Sequence, residues 1–173
     1  MGRYRQPQPV GSKYITAEGH KRLTEEEAYL WKIKRPEVTR ILSAAAAEGD
    51  RSENAEYIYH KKELREIDAR VRFLRKRLDD MVIVDRIPAD TDKIYFGAWV
   101  TLENTKGAEK TYRIVGPDEF NPKLGYISMD SPMGKALLGK SLDDEISISV
   151  DTKDGQLNSS YIINEIHYKA YKD

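Results

Sequence analysis

The sequence predicts an α+β chain of two domains. An N-terminal antiparallel α-helical coiled-coil hairpin is followed by a C-terminal antiparallel sheet carrying a short helix. Two observations predict this. Apolar residues recur at helical spacing up to about residue 82, and strand-like runs separated by turn signals take over after about residue 92. The resulting boundaries are a disordered lead-in over 1–13, the hairpin over 14–86, a linker over 87–92 and the globular domain over 93–173.

The first helix is expected to start at Thr16, a good N-cap residue, and to stop at Gly49. Leu23, Leu30, Val38, Ile41 and Ala45 give it an imperfect apolar stripe. Pro36 interrupts it, and a kink is expected there because proline removes a backbone donor and crowds the preceding turn. The second helix is more regular. Leu64, Ile67, Val71, Leu74, Leu78 and Met81 follow one another at spacings of 3, 4, 3, 4 and 3, a heptad seam that Tyr57 and His60 extend backwards. His60 is thereby read as a seam or flank residue. Only GDRS separates the helices, so they should lie antiparallel, with arms of about 45 Å at ~1.5 Å per residue.

In the second domain, AWVTLEN and EKTYRIV flank TKGA as one β-hairpin, YISM is a third strand, and EISISV and SSYIINEIHY flank DTKDGQ as a second hairpin. SPMGKALLG reads as a short helix with Ser131 as N-cap, Pro132 at the first position and Gly139 after the end.

Composition narrows the function. The 173 residues contain 29 Lys plus Arg and 29 Asp plus Glu, so whole-chain basicity is absent. There is no Cys, which excludes disulfides, Cys-bound zinc, iron–sulfur clusters and thiol chemistry, and a reducing cytoplasm fits. No apolar run is long enough for a membrane span, and the N-terminal MGRYRQPQPVGSK lacks the apolar core of a secretory signal. Charge is nonetheless sorted. Residues 61–77 hold eight basic and three acidic side chains, whereas 88–173 hold ten basic and fourteen acidic. The basic stripe suits an anion, and it equally suits a solvated coiled-coil face with intrahelical pairs such as Glu66 with Arg70.

The hairpin tip concentrates candidate chemistry. Asp50 and Glu53 stand three apart where a helix begins, which suits an N-cap with its capping-box partner. The same pair suits Mg²⁺, which takes six oxygen ligands and often only one or two protein carboxylates. Two carboxylates on a loop hold the ion weakly, so such a site would need a second macromolecule to complete it, and the free protein would bind no metal tightly.

GDRSENAEY at the tip, RPEVTR before it and KKELREIDARVRFL after it closely resemble the Gre transcript cleavage factors of bacterial RNA polymerase, with the GreB branch nearest. The resemblance continues through YFGAWV, YRIVG and YISMDSPMGKALLGK and covers about residues 14 to 168. It implies an FKBP-like second domain, without isomerase activity, that docks on the rim of the polymerase secondary channel. It also implies a coiled coil that reaches through the channel and stimulates the polymerase's own cleavage of backtracked RNA. The family's acidic pair falls on Asp50 and Glu53, which would share a catalytic Mg²⁺ with polymerase carboxylates, with Ser52 and Asn54 supporting. A basic patch engaging the extruded RNA 3′ segment would begin at Lys61, Lys62 and Arg65, and the docking segment falls on Asp130, Ser131 and Pro132. The chain is then an accessory factor and not itself a nuclease. The competing readings are a channel-occupying regulator that inhibits polymerase or alters initiation, and a coiled-coil adaptor that pairs between chains. The short GDRS turn favours a hairpin closed within one chain, hence a free monomer.

Overall fold

The computed structural model describes residues 11–47, 54–152 and 155–169. The chain divides into two compact units, Glu18–Met81 and the remainder on both sides of it. The helical unit therefore starts and ends a few residues inside the span 14–86. The cause is a pair of short strands, β1 (Tyr14–Thr16) and β2 (Val82–Val84), that run parallel with Tyr14 opposite Val82. Their pairing assigns the chain on either side of the helices to the second unit.

In the helical unit, α1 (Ala17–Tyr29) and α2 (Arg35–Ala47) are joined by a π-helical turn over Leu30–Lys34, and α3 (Ala55–Asp80) returns alongside. The π turn is the local answer to Pro36. A proline has no N–H and its ring crowds the carbonyl four residues back, here that of Lys32. The backbone widens in the turn before it, and Arg35 N–H bonds to the carbonyl of Leu30, five residues back. This accounts for the imperfect stripe. Leu23, Leu30, Val38 and Ala45 are spaced 7, 8 and 7, and the extra residue falls in the π turn. Leu23, Val38 and Ala45 are buried, and Leu30 packs with Leu64 on the cluster of Val38, Ile67 and Val71. The seam of α3 is as expected, with Ile67, Val71 and Leu74 buried.

Charged and aromatic groups reinforce this narrow seam. Arg70 makes a two-toothed pair with Glu26, at 2.7 and 2.9 Å, and Arg75 Nε donates to Glu27 at 2.7 Å. Arg35 Nε donates to Asp68 at 2.8 Å. The indole of Trp31 contacts two of these guanidiniums, 4.4 Å from that of Arg75 and 5.1 Å from that of Arg35. Arg70 is thus paired across the hairpin with Glu26.

The second unit is built on a five-stranded sheet ordered β5-β4-β3-β7-β6, with β3 Trp99–Asn104, β4 Glu109–Val115, β5 Tyr126–Ser128, β6 Glu145–Thr152 and β7 Gly155–His167. Both expected hairpins form, as β3–β4 and β6–β7. The third strand departs from expectation in direction. β5 runs parallel to β4, so the sheet is mixed. A tight turn cannot join parallel strands, and residues 116–125 supply the crossover through two 3₁₀ turns, Pro117–Glu119 and Pro122–Leu124.

Ile94, Val100, Leu102, Ile114, Leu137 and Ile163 are buried in the core between the sheet and α4 (Pro132–Leu137). The helix can approach so closely because position 134 is glycine. A Cβ there would stand 2.2 Å from the carbonyl oxygen of Ser128. Among the described residues no helix is long and apolar enough to cross a membrane.

Candidate functional site

The tip of the hairpin lies between Ala47 and Asn54. Asp50, Ser52 and Glu53 fall outside the described residues. Asn54 is described and holds the two helix ends together. Its Oδ1 accepts from the N–H of Tyr57 at 3.0 Å, and its Nδ2 donates to the carbonyl of Ala45 at 3.1 Å. One side chain thereby satisfies an open donor at the start of α3 and an open acceptor at the end of α2. Asn54 is the N-cap of α3, with extended backbone angles and its own carbonyl receiving the N–H of Ile58 at 3.1 Å. The expected cap at Asp50 with Glu53 three residues later is corrected accordingly. The third helical position belongs to Tyr57.

Beyond the tip, His60 and Glu63 meet at 2.9 Å, and Lys34 of the first arm reaches Glu63 at 3.4 Å. The hydrogen bond from His60, with the bond and charge of Lys34, holds the Glu63 carboxyl below the ordinary range despite some opposing desolvation. Lys34 is correspondingly raised, first by its hydrogen bond and charge interaction with Glu63 and then by Glu37. His60 is a flank residue of the hairpin, as its register indicated.

The basic stripe separates into two sets. Arg70 and Arg75 are engaged with Glu26 and Glu27. Lys61, Lys62 and Arg65 are exposed. The Lys61 ammonium lies 5.4 Å from the Tyr57 ring centre, and Lys62 makes a 3.8 Å contact with Glu66 in which both side chains are mostly in water. Lys61 and Arg72, and likewise Arg65 and Lys76, are eleven residues apart, about three helical turns, and all four are exposed. They make one solvent-facing cationic row.

In the second unit, Ser131 caps α4. Its hydroxyl accepts from Gly134 N–H at 3.0 Å and donates to the Ser128 carbonyl at 2.6 Å. Pro132 occupies the first helical position and is exposed, and Gly139 follows the helix with φ +80°. Asp130 accepts from the backbone N–H of Ser12 at 2.7 Å and from its hydroxyl. Sequence reasoning treated the segment before Tyr14 as a lead-in and missed Ser12. No local pattern links positions 118 residues apart.

Among the described residues no three His, Asp or Glu side chains are grouped to hold a metal ion. A metal at this site would rest on the tip pair, whose donor set is two carboxylates, the hard oxygen ligands that Mg²⁺ prefers.

Comparison with known proteins agrees with this arrangement. Residues 13–83 match the model of the N-terminal region of transcription elongation factors, and residues 89–168 match the C-terminal region of GreA/GreB. The transcription elongation factor GreB of Pseudomonas aeruginosa is 57% identical over 148 residues, covering 86% of this chain and 88% of that one. GreB of Pasteurella multocida is 56% identical over 158 residues, covering 91% and 98%. GreB of Yersinia pestis is 52% identical over 162 residues, covering 94% and 92%. With both halves matched in order and more than half of the aligned residues identical, the chain belongs to the GreA/GreB family of transcription elongation factors.

Proposed function

We propose that this elongation factor enters the secondary channel of bacterial RNA polymerase hairpin first and stimulates the polymerase's endonucleolytic cleavage of backtracked RNA. The observation that supports the reading most is the cap at Asn54. Because that side chain serves both helix ends, the N-cap of α3 is filled by Asn54, which favours a role other than that cap for Asp50 and Glu53. The pair would hold Mg²⁺ jointly with polymerase carboxylates, since two carboxylates are too few for a tight site in the free protein. When bound, the ion would activate water and stabilise charge on the attacked phosphate. Within the chain, Asp50 and Glu53 would supply ligands, with Ser52 supporting them, and Asn54 fixes where α3 begins.

Lys61, Lys62 and Arg65 would meet phosphates of the extruded RNA 3′ segment, an attraction that is independent of sequence and weakened by salt. Arg72 and Lys76 extend that row. Asp130, Ser131 and Pro132 would dock on the channel rim. The chain then acts as an accessory to the polymerase nuclease, monomeric when free and cytoplasmic.

The test uses a backtracked elongation complex with labelled RNA, over a range of Mg²⁺ concentrations. Asp50→Ala combined with Glu53→Ala should bind polymerase like the wild type yet lose stimulation by roughly 100-fold or more. Equal binding with undiminished cleavage by the double variant would overturn the metal role. If the wild type binds and does not stimulate cleavage, the chain is instead a channel-occupying regulator.

A further inference from the structure

The segment that precedes the hairpin is fastened to the sheet unit at every described residue. At Gly11, a Cβ would stand 3.1 Å from Pro117 Cγ and 3.3 Å from an Asp130 carboxylate oxygen. Ser12 gives both its N–H and its hydroxyl to Asp130. The Lys13 carbonyl accepts from Val82 N–H at 2.8 Å, and Tyr14–Thr16 pair with β2, with Ile15 fully buried. Thr16 gives its N–H, at 3.0 Å, and its hydroxyl to the buried carboxylate of Glu119, which also takes the N–H of Gly116 at 3.1 Å. Position 116 has no space for a side chain while this strap is in place. A Cβ would lie 2.1 Å from the carbonyl oxygen of Tyr14.

Two members of the docking segment therefore use their polar groups inside the molecule. Ser131 caps α4, and both oxygens of Asp130 are on Ser12. Hydrogen bonds to a charged carboxylate are among the stronger ones, so a partner that took Asp130 for itself would have to release the strap. Lys13 and Tyr14 of the strap and Pro132 of the docking segment are exposed.

We propose that Asp130 serves polymerase docking as a positioning residue, seating the strap Gly11–Thr16 beside the start of α4 so that strap and Pro132 together form the surface the polymerase meets. This rests on the docking role proposed above for residues 130–132. The strap's strand pairing fixes its path, and Asp130 fixes the end that the pairing does not reach.

The experiment measures affinity of labelled full-length factor for polymerase, and separately the cleavage rate at saturating factor. The variants are Asp130→Ala, Ser12→Ala, Gly116→Ala and Pro132→Ala, with hydrogen exchange at Ile15, Thr16 and Val82 recording whether the strap is seated. Asp130→Ala and Gly116→Ala should each weaken binding about tenfold and speed exchange in the strap. Their combination should be no weaker than either alone, and the saturated rate should be unchanged. Ser12→Ala, which keeps the backbone bond, should fall between them and the wild type. Weakened binding by Asp130→Ala with wild-type affinity for both Gly116→Ala and Ser12→Ala would overturn the proposal in favour of direct contact by the carboxylate. Should Gly116→Ala fail to fold, the same decision rests on Ser12→Ala and on exchange in Asp130→Ala. Wild-type affinity for both Asp130→Ala and Pro132→Ala would remove the docking role itself.

Discussion

Among the described residues of the hairpin, Val38, Ile67 and Val71 form one buried cluster, with Leu30 and Leu64 against its edge, and Leu23, Ala45 and Leu74 are buried as well. In the sheet unit, nine buried residues close over one another, and partly buried aromatics such as Tyr112 and Tyr161 pack on them. The hairpin supplements its narrow seam with cross-arm pairs, Arg70 with Glu26, Arg75 with Glu27 and Arg35 with Asp68, and with Trp31 against two guanidiniums. A hairpin of two helices has no third layer with which to thicken its core, so its additional contacts lie at its surface. The sheet has no such restriction and relies on burial, which contributes about 1.5–3 kcal/mol per large apolar side chain. The two units should therefore answer differently to cavities, salt and acid. Each contains one of the two tryptophans, Trp31 and Trp99, so single-tryptophan variants can report them separately.

The largest contrast is expected from Ile163→Ala. Ile163 is fully buried in β7, and truncation should cost the sheet unit about 2–5 kcal/mol in urea unfolding followed through Trp99. The helical signal of the hairpin should keep its midpoint. A matched loss in both units would show that they unfold as one.

Next in size is Asn54→Ala. Loss of the cap should cost the hairpin about 1 kcal/mol, read from far-ultraviolet circular dichroism during urea unfolding. Asn54→Asp should cost less, because it keeps the acceptor for Tyr57 and loses only the donor to Ala45.

Smaller again is Arg70→Met. The pair with Glu26 is partly exposed, 44% and 35% for the two side chains, so the loss should stay below about 1 kcal/mol. That difference should vanish at about 1 M salt, where the screening length falls to about 3 Å. A loss that persists in salt would show that the contact of the Arg70 guanidinium with the Phe73 ring, 5.4 Å from its centre, matters more than the pair with Glu26.

The smallest effect is the acid response of Glu63. Its folded carboxyl is lowered from 4.5, chiefly by His60 and then Lys34. The stabilisation is fully present above the unfolded value and is lost as pH falls through the lower folded one. Hairpin stability measured between about pH 6 and pH 3 should therefore decline, and Glu63→Gln should flatten that part of the curve. An unchanged slope in the variant would place the acid response elsewhere.

The same contrast governs what could be read from the sequence. The α3 seam was legible because a heptad is a local pattern whose partner lies just across a short turn. The two β-hairpins were legible for the same reason, and α4 because Ser131, Pro132 and Gly139 mark its ends. The pairing of β1 with β2 was not. Each strand has three residues, with the whole hairpin between them. The parallel direction of β5 was hidden by a crossover that reads only as a loop. At the tip, Asp50, Ser52 and Asn54 are all competent caps, and choosing among them requires knowing that Ala45 offers a carbonyl to a side-chain amide. The basic stripe was legible as a count. Which cations are already paired depends on Glu26 and Glu27, on the other arm.

The π turn at Leu30–Lys34 works as a vernier. It takes in one residue beyond the heptad count without turning the next seam position out of the interface, so Leu30 and Val38 face the same partner across a gap of eight. The outbound arm thus need not match the returning arm residue for residue. Removing one residue from this turn would leave a seven-residue step, but Pro36 would then again crowd the carbonyl four residues before it. The outbound arm absorbs a single-residue offset partway along its length while both sides of the joint stay on one seam.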